Sequence, residues 1–326
     1  MKRFLIICLC LLLCGCGSKK EYTDTIFAMD TVMDLTAYGP NAEAALAAAK
    51  SEIFRLDALF DRKGENSDIS KLNQTGNVAL SSDTAELLTR GLEISELTNG
   101  AFDMTVAPVT DLWGFHDQEY RVPKNEEILS ALEKVNYKNL HIDGEAAVLE
   151  NGAQLDPGGI AKGYTSAKVI DIFKENSVNS GLVSLGGNVQ ALGSRPDGTP
   201  WRVAIQSPDG EGYAGILSLT DCAAITSGDY QRYFEQGGKT YHHIIDPSTG
   251  YPADSDLSSV TIVCTDAALA DGLSTALYVM GKDAALNFWR ENGDFEVVLI
   301  THSGELYVTK GLKGKFESDR EFTVAA

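Results

Sequence analysis

Asp271 and Thr275 lie four residues apart in an apolar run, 267–279, whose spacing predicts a helix, so both project from one helix face. A carboxylate and a hydroxyl placed this way, completed by a backbone carbonyl and a ligand phosphate, form the oxygen donor set that Mg²⁺ prefers. Ala270-Asp271-Gly272 also reads as a helix start, in which Asp271 would serve as a cap. A second candidate is Asp156-Pro157-Gly158-Gly159-Ile160-Ala161-Lys162-Gly163-Tyr164. Its glycines let backbone approach a ligand, the helix that follows turns unpaired N–H groups toward an anion, and Lys162 adds positive charge, so the segment suits a phosphate. Its spacing is neither that of a P-loop nor that of G-x-G-x-x-G.

His242-His243-Ile244-Ile245-Asp246-Pro247-Ser248-Thr249-Gly250 places two of the five histidines before a turn dictated by Asp-Pro and Thr-Gly. Neighbouring strand residues point to opposite faces, so one of the two histidines can look into a given site. Asp103 and Asp156 are carboxylates in apolar surroundings that need partners, either a ligand or the loops around them. The polar turn Thr226-Ser227-Gly228-Asp229-Tyr230 is a further candidate to line a pocket.

The elements that must position these groups alternate in type along the chain. Residues 25–38 alternate as a first strand, 42–59 carry apolar residues at helical spacing, and 81–98 read as a helix capped by Ser82 or Asp83 and stopped by Asn99-Gly100. A helix is expected from the glycine-rich segment to about Glu175, followed by a strand over 181–187 that ends in a double glycine. Further strands are expected at 201–206, 215–219, 222–226, 260–264, 295–301 and 305–309, and a short helix at 125–135. Strands concentrated in the second half, with helices before and between them, predict α+β layering: one large body with a smaller lobe.

The chain has 326 residues and a net charge of −19, which argues against nucleic-acid binding and requires any anionic ligand to be held by local features. Lys2 and Arg3 precede an apolar run, residues 4–13, too short to span a bilayer. It ends in Leu13-Cys14-Gly15-Cys16, which resembles a lipoprotein cleavage site. The expected organisation is a signal peptide over 1–15, a lipidated Cys16 (a palmitate-type anchor) heading a tether over 16–24, and one domain over 25–326. That places the protein on the outer, periplasmic or extracellular, face of a cell membrane. Beyond the leader only Cys222 and Cys264 remain, as buried free thiols or a single bridge.

Taken jointly, these segments resemble the FAD:protein FMN transferase family, the ApbE-type flavin transferases. The resemblance is carried by Ala28-Met29-Asp30-Thr31, Ser67-Asp68-Ile69-Ser70-Lys71-Leu72-Asn73, Gly100-Ala101-Phe102-Asp103, Ala107-Pro108 and Leu112-Trp113-Gly114-Phe115, then by the 156–164 segment, Gly186-Gly187-Asn188, the 242–250 run and Ala270-Asp271-Gly272-Leu273-Ser274-Thr275-Ala276. It implies an ApbE-like, T-fold-related architecture and a Mg²⁺-dependent flavoprotein enzyme. Such an enzyme cleaves FAD, attaches FMN to a Ser or Thr of membrane or exported acceptor proteins, and releases AMP. It further implies that Met29, Ala101, Phe102, Asp103, Asp156, Lys162 and Ile245 surround FAD, that Asp271, Thr275 and the Gly159 carbonyl hold Mg²⁺, and that His243 is the general base, with His242 as the alternative. Ser274 stands where some members carry a second acidic ligand, Lys63 where many carry a flavin-stacking Tyr, and Asp30 where Gly is common. The same site with water as acceptor would be an FAD pyrophosphatase. A flavin-binding lipoprotein would need the flavin contacts without Asp271 and Thr275.

Overall fold

The computed structural model describes residues 20–326, so Cys16 and the leader lie outside the described residues. The chain opens with a hairpin of β1 (Glu21–Ala28) and β2 (Thr31–Tyr38), followed by α1 (Ala42–Phe60), α2 (Asp68–Thr75), β3 (Asn77–Ala79) and α3 (Ser82–Leu97). Next come α4 (Ala107–Trp113), α5 (Asn125–Leu132), β4 (Leu140–Asp143), β5 (Ala146–Leu149) and α6 (Ala161–Glu175). Seven strands then follow: β6 (Gly181–Leu185), β7 (Asn188–Leu192), β8 (Trp201–Gln206), β9 (Tyr213–Leu219), β10 (Ala223–Gly228), and the hairpin β11 (Tyr233–Gln236) with β12 (Lys239–His242). The chain closes with β13 (Leu257–Cys264), α7 (Ala267–Met280), α8 (Lys282–Asn292), β14 (Glu296–Thr301), β15 (Leu306–Thr309), β16 (Phe316–Glu317) and β17 (Thr323–Ala325).

A nine-stranded sheet in the order β1-β2-β6-β7-β10-β13-β14-β15-β17 forms the middle layer. Its pairs are antiparallel except the last, β15 with β17. Helices α1, α6, α7 and α8 cover one face. On the other, Trp201, Ile205, Leu217 and Phe316 of a small β16-β9-β8 sheet pack against Ala191, Ala224, Val263 and Val298 of the large one. Covered on both sides, β13 is buried at every position and reads Leu-Ser-Ser-Val-Thr-Ile-Val-Cys without polar-apolar alternation. The smaller lobe is a separate apolar cluster of Val109, Trp113, Phe115, Ile128 and Ile245, closed by Phe234 and Tyr241 of the β11–β12 hairpin.

Three expectations are corrected. Residues 25–38 form two strands, and the first begins at Glu21, inside the stretch expected to be tether. The reversal is at Met29 (φ 48°) and Asp30 (φ 57°), a turn made without the glycine that usually marks one. The cap of α3 is Ser81, whose side chain accepts from the Thr84 N–H, one residue before the expected pair. Asp271 does not cap α7, because Asp266 does, accepting from the Leu269 N–H. Cys222 and Cys264 are free thiols, the latter pushed by burial up to about 12.

Helices α6 and α7 cross at Gly163, where a Cβ would lie 2.2 Å from the Ala267 carbonyl oxygen and 2.8 Å from Asp271 Cβ. Gly163→Ala is therefore expected to destabilise the fold by about 1–3 kcal/mol through overpacking, measurable as a lowered midpoint in urea at unchanged slope.

Candidate active site

Asp271 sits in the second turn of α7 and is 4% exposed. One carboxylate oxygen accepts from the Gly163 N–H at 2.8 Å and the other from the Asn188 side-chain amide at 2.9 Å. Both donors are neutral, and among the described residues no cationic side chain pairs with this buried carboxylate. A buried negative charge so arranged calls for a cation. One turn on, Thr275 faces Gly159, where an added Cβ would be 3.7 Å from Thr275 Oγ1 and 3.0 Å from Phe102 Cε2. Asp271, Thr275, Gly159 and Phe102 therefore meet at one place, and the donors are hard oxygens, as Mg²⁺ requires.

Lys162 stands in the first turn of α6, its ammonium donating to the Gly158 carbonyl at 3.3 Å. The N-cap residue Ile160 supplies no side-chain cap to this 15-residue helix, and with the Gly163 N–H given to Asp271, the N–H groups of Ala161 and Lys162 are those left to face an anion. Met29 reaches the same helix, its sulfur accepting from the Thr165 hydroxyl at 3.8 Å.

The two histidines diverge as strand alternation predicts. The His243 ring lies 6.4 Å from that of Phe115, and its Nδ1 bonds to the Arg232 carbonyl at 3.2 Å. A carbonyl only accepts, so Nδ1 carries the proton and Nε2 keeps its lone pair. Burial first, then the positive fields of Arg232 and Lys162, hold the His243 imidazole down to about 3 against the pull of that hydrogen bond. His242 turns away: its Nε2 donates to the Ala253 carbonyl at 3.2 Å, its ring meets Tyr278 edge-on, and burial lowers its pKa. With Asp229, Tyr251 and His302, His242 lines a cavity of about 500 Å³ that does not include His243.

The remaining expected flavin contacts have protein partners of their own. Asp103 is buried, and it accepts from the Thr105 N–H and hydroxyl at 2.7 Å each and from the Tyr137 N–H at 2.8 Å; burial raises its pKa. Asp156 gives one oxygen to the Gly158 N–H at 3.0 Å and the other to Arg62, also at 3.0 Å. Ala101 is partly buried beside the core, whereas Ile245 lies within the lobe's apolar cluster at 6% exposure. Lys63 pairs with Asp117.

Two residues that hold this geometry escaped the sequence reading. Asn188 was visible as part of a motif, but its role required seeing the start of β7 reach Asp271 on α7. Arg62, whose side chain is 8% exposed, bridges Asp156 and Asp111 (2.6 Å) and so ties the start of the glycine-rich segment to α4. Beside it, Asn73 clamps Leu155 with two hydrogen bonds, 2.7 and 3.0 Å, which explains the end of the 67–73 motif.

A family model described as the ApbE family matches residues 29–299, and the chain belongs to that family. It is 30% identical over 332 residues to an FAD:protein FMN transferase of Treponema pallidum, covering 92% of each chain. It is 33% identical to one of Haemophilus influenzae, over 76% of this chain and 75% of that one. Among solved structures, the ApbE protein of Thermotoga maritima superposes with a TM-score of 0.86 at 33% identity, over 93% of this chain and all (100%) of that one.

Two outcomes are expected. Arg62→Met leaves two carboxylates unpaired and should cost about 1–3 kcal/mol in chemical denaturation. As for pH, the unfolded chain protonates His243 near the ordinary imidazole value of 6.5 and the folded one at about 3. Between those values the unfolded state binds more protons, so stability is present above pH 6.5 and falls as pH drops. His243→Gln should flatten that acid-side decline, as read from unfolding midpoints measured between pH 7 and pH 4.

Proposed function

We propose that this protein is an Mg²⁺-dependent FAD:protein FMN transferase that attaches FMN through a phosphoester to a Ser or Thr of membrane or exported acceptor proteins and releases AMP. The observation that carries this reading is Asp271, a buried carboxylate without a cationic partner, one turn from Thr275 and in contact with the anion-ready start of α6. The kinship with chains named FAD:protein FMN transferase supplies the substrate. The Leu13-Cys14-Gly15-Cys16 sequence supports a lipid anchor at Cys16 and a location outside the cytoplasm.

In this reading Asp271, Thr275 and the Gly159 carbonyl hold Mg²⁺, which when bound supplies a Lewis acid that neutralises phosphate charge. Lys162 and the first N–H groups of α6 bind the pyrophosphate, a local answer to the repulsive field of a chain with net charge −19. His243 accepts the acceptor hydroxyl's proton at Nε2 while the new O–P bond forms and the bond to AMP breaks. Phe102, Met29 and Ala101 border the space left for the flavin.

The test is incubation of the full chain with FAD, Mg²⁺ and a candidate acceptor, followed by intact mass of the acceptor and assay of AMP. An FMN-sized mass gain with AMP supports the proposal; AMP with free FMN and an unmodified acceptor makes the chain a pyrophosphatase. Asp271→Ala should abolish turnover while unfolding remains cooperative, and chelation should do the same to the parent chain. His243→Ala should slow transfer at least about 100-fold with FAD affinity retained, a split that equilibrium flavin titration would show.

A further inference from the structure

The hydroxyls around Thr275 form a chain whose direction is set by counting protons. Ser274, fully buried on α7, has one hydroxyl proton and donates it to the Asp271 carbonyl at 2.8 Å. The 2.7 Å contact between Ser227 and Ser274 therefore runs from the Ser227 hydroxyl to Ser274 Oγ. With that proton spent, the 3.2 Å contact between Ser227 and Thr275 runs from the Thr275 hydroxyl to Ser227 Oγ. Thr275 ends the relay as a donor, and among the described residues no other hydrogen bond engages its Oγ1, which lies 3.7 Å from where a Gly159 Cβ would stand.

We infer that Ser227, at the end of β10, is a positioning residue that orients Thr275 as a cation ligand. The inference rests on the reading of Thr275 as such a ligand. A helical threonine ordinarily turns its proton to the carbonyl four residues back, but here that carbonyl is the Asp271 one already engaged by Ser274. Without Ser227 the Thr275 hydroxyl becomes a free rotor, and its proton competes with a cation for the same space. A neutral pair of serines thus orders the ligand shell at Asp271 without adding a second buried carboxylate.

The probe is Mn²⁺, with the free ion counted by electron paramagnetic resonance while the full chain and its variants are titrated. Ser227→Ala should weaken Mn²⁺ binding roughly tenfold, at the lower end of what loss of an outer-shell partner costs. Its FAD affinity in chelator, followed by flavin fluorescence, should stay at the parent value. Thr261→Val removes a different buried hydroxyl of the same sheet, the partner of Thr226 at 2.8 Å, and should leave Mn²⁺ binding unchanged. Parental Mn²⁺ affinity in Ser227→Ala overturns the inference, as does an equal loss of metal-free FAD binding or an equal effect of Thr261→Val. Thr275→Ala separates the two claims. If it weakens Mn²⁺ binding while Ser227→Ala does not, the relay alone fails; if it has no effect, the ligand reading of Thr275 falls and takes the relay with it.

Discussion

The negative charge of Asp271 is the constraint from which the arrangement of the site follows. A carboxylate taken out of water is costly unless hydrogen bonds and an opposite charge offset it, and here the protein supplies the hydrogen bonds and leaves the charge. Gly163 can donate because the absence of a Cβ lets α6 run against the Ala267 carbonyl. Asn188 can donate because Gly186 and Gly187, both at positive φ, reverse the chain and begin β7 with the Asn188 amide within reach of Asp271. The same crossing places the start of α6, with Lys162 in its first turn, next to the carboxylate through one packing contact.

Other buried or half-buried acids show by contrast what a structural carboxylate looks like in this chain. Asp68 accepts from the Ser81 N–H and the Thr84 hydroxyl and joins α2 to α3. Asp103 spends its oxygens on three donors from two loops. Asp156 and Asp111 share the guanidinium of Arg62, whose planar fork suits two carboxylates at once. Each of these ties segments together with its demand met. Asp271 differs in that its donors fix its direction without neutralising it.

Much of this was legible in the sequence, because helices and buried strands leave periodic marks. The spans of α1, α6, α7 and β8, and the pairing of Asp271 with Thr275 on one face, follow from spacing alone. What spacing could not give falls into two physical kinds. The Met29-Asp30 turn carries no glycine, so alternation seemed to run on through it, and short elements such as β7, β11 and β12 hold too few residues to establish a period. The other kind is contact across sequence distance: Arg62 meets Asp156 from 94 residues away and Asn188 meets Asp271 from 83, and no local pattern announces either.

Strand alternation gives His242 and His243 separate surroundings, and backbone carbonyls fix the tautomer of each: Ala253 takes the Nε2 proton of one and Arg232 the Nδ1 proton of the other. His243 thus keeps an unprotonated Nε2, in a ring held neutral by burial and by the fields of Arg232 and Lys162. A histidine held that low is a weak base. The cationic part of that depression is the part a bound pyrophosphate would offset, since its negative charge would lie beside Lys162. In the proposed reaction the base would therefore strengthen with occupancy, and proton removal would be favoured once the phosphoryl group that receives the hydroxyl is in place.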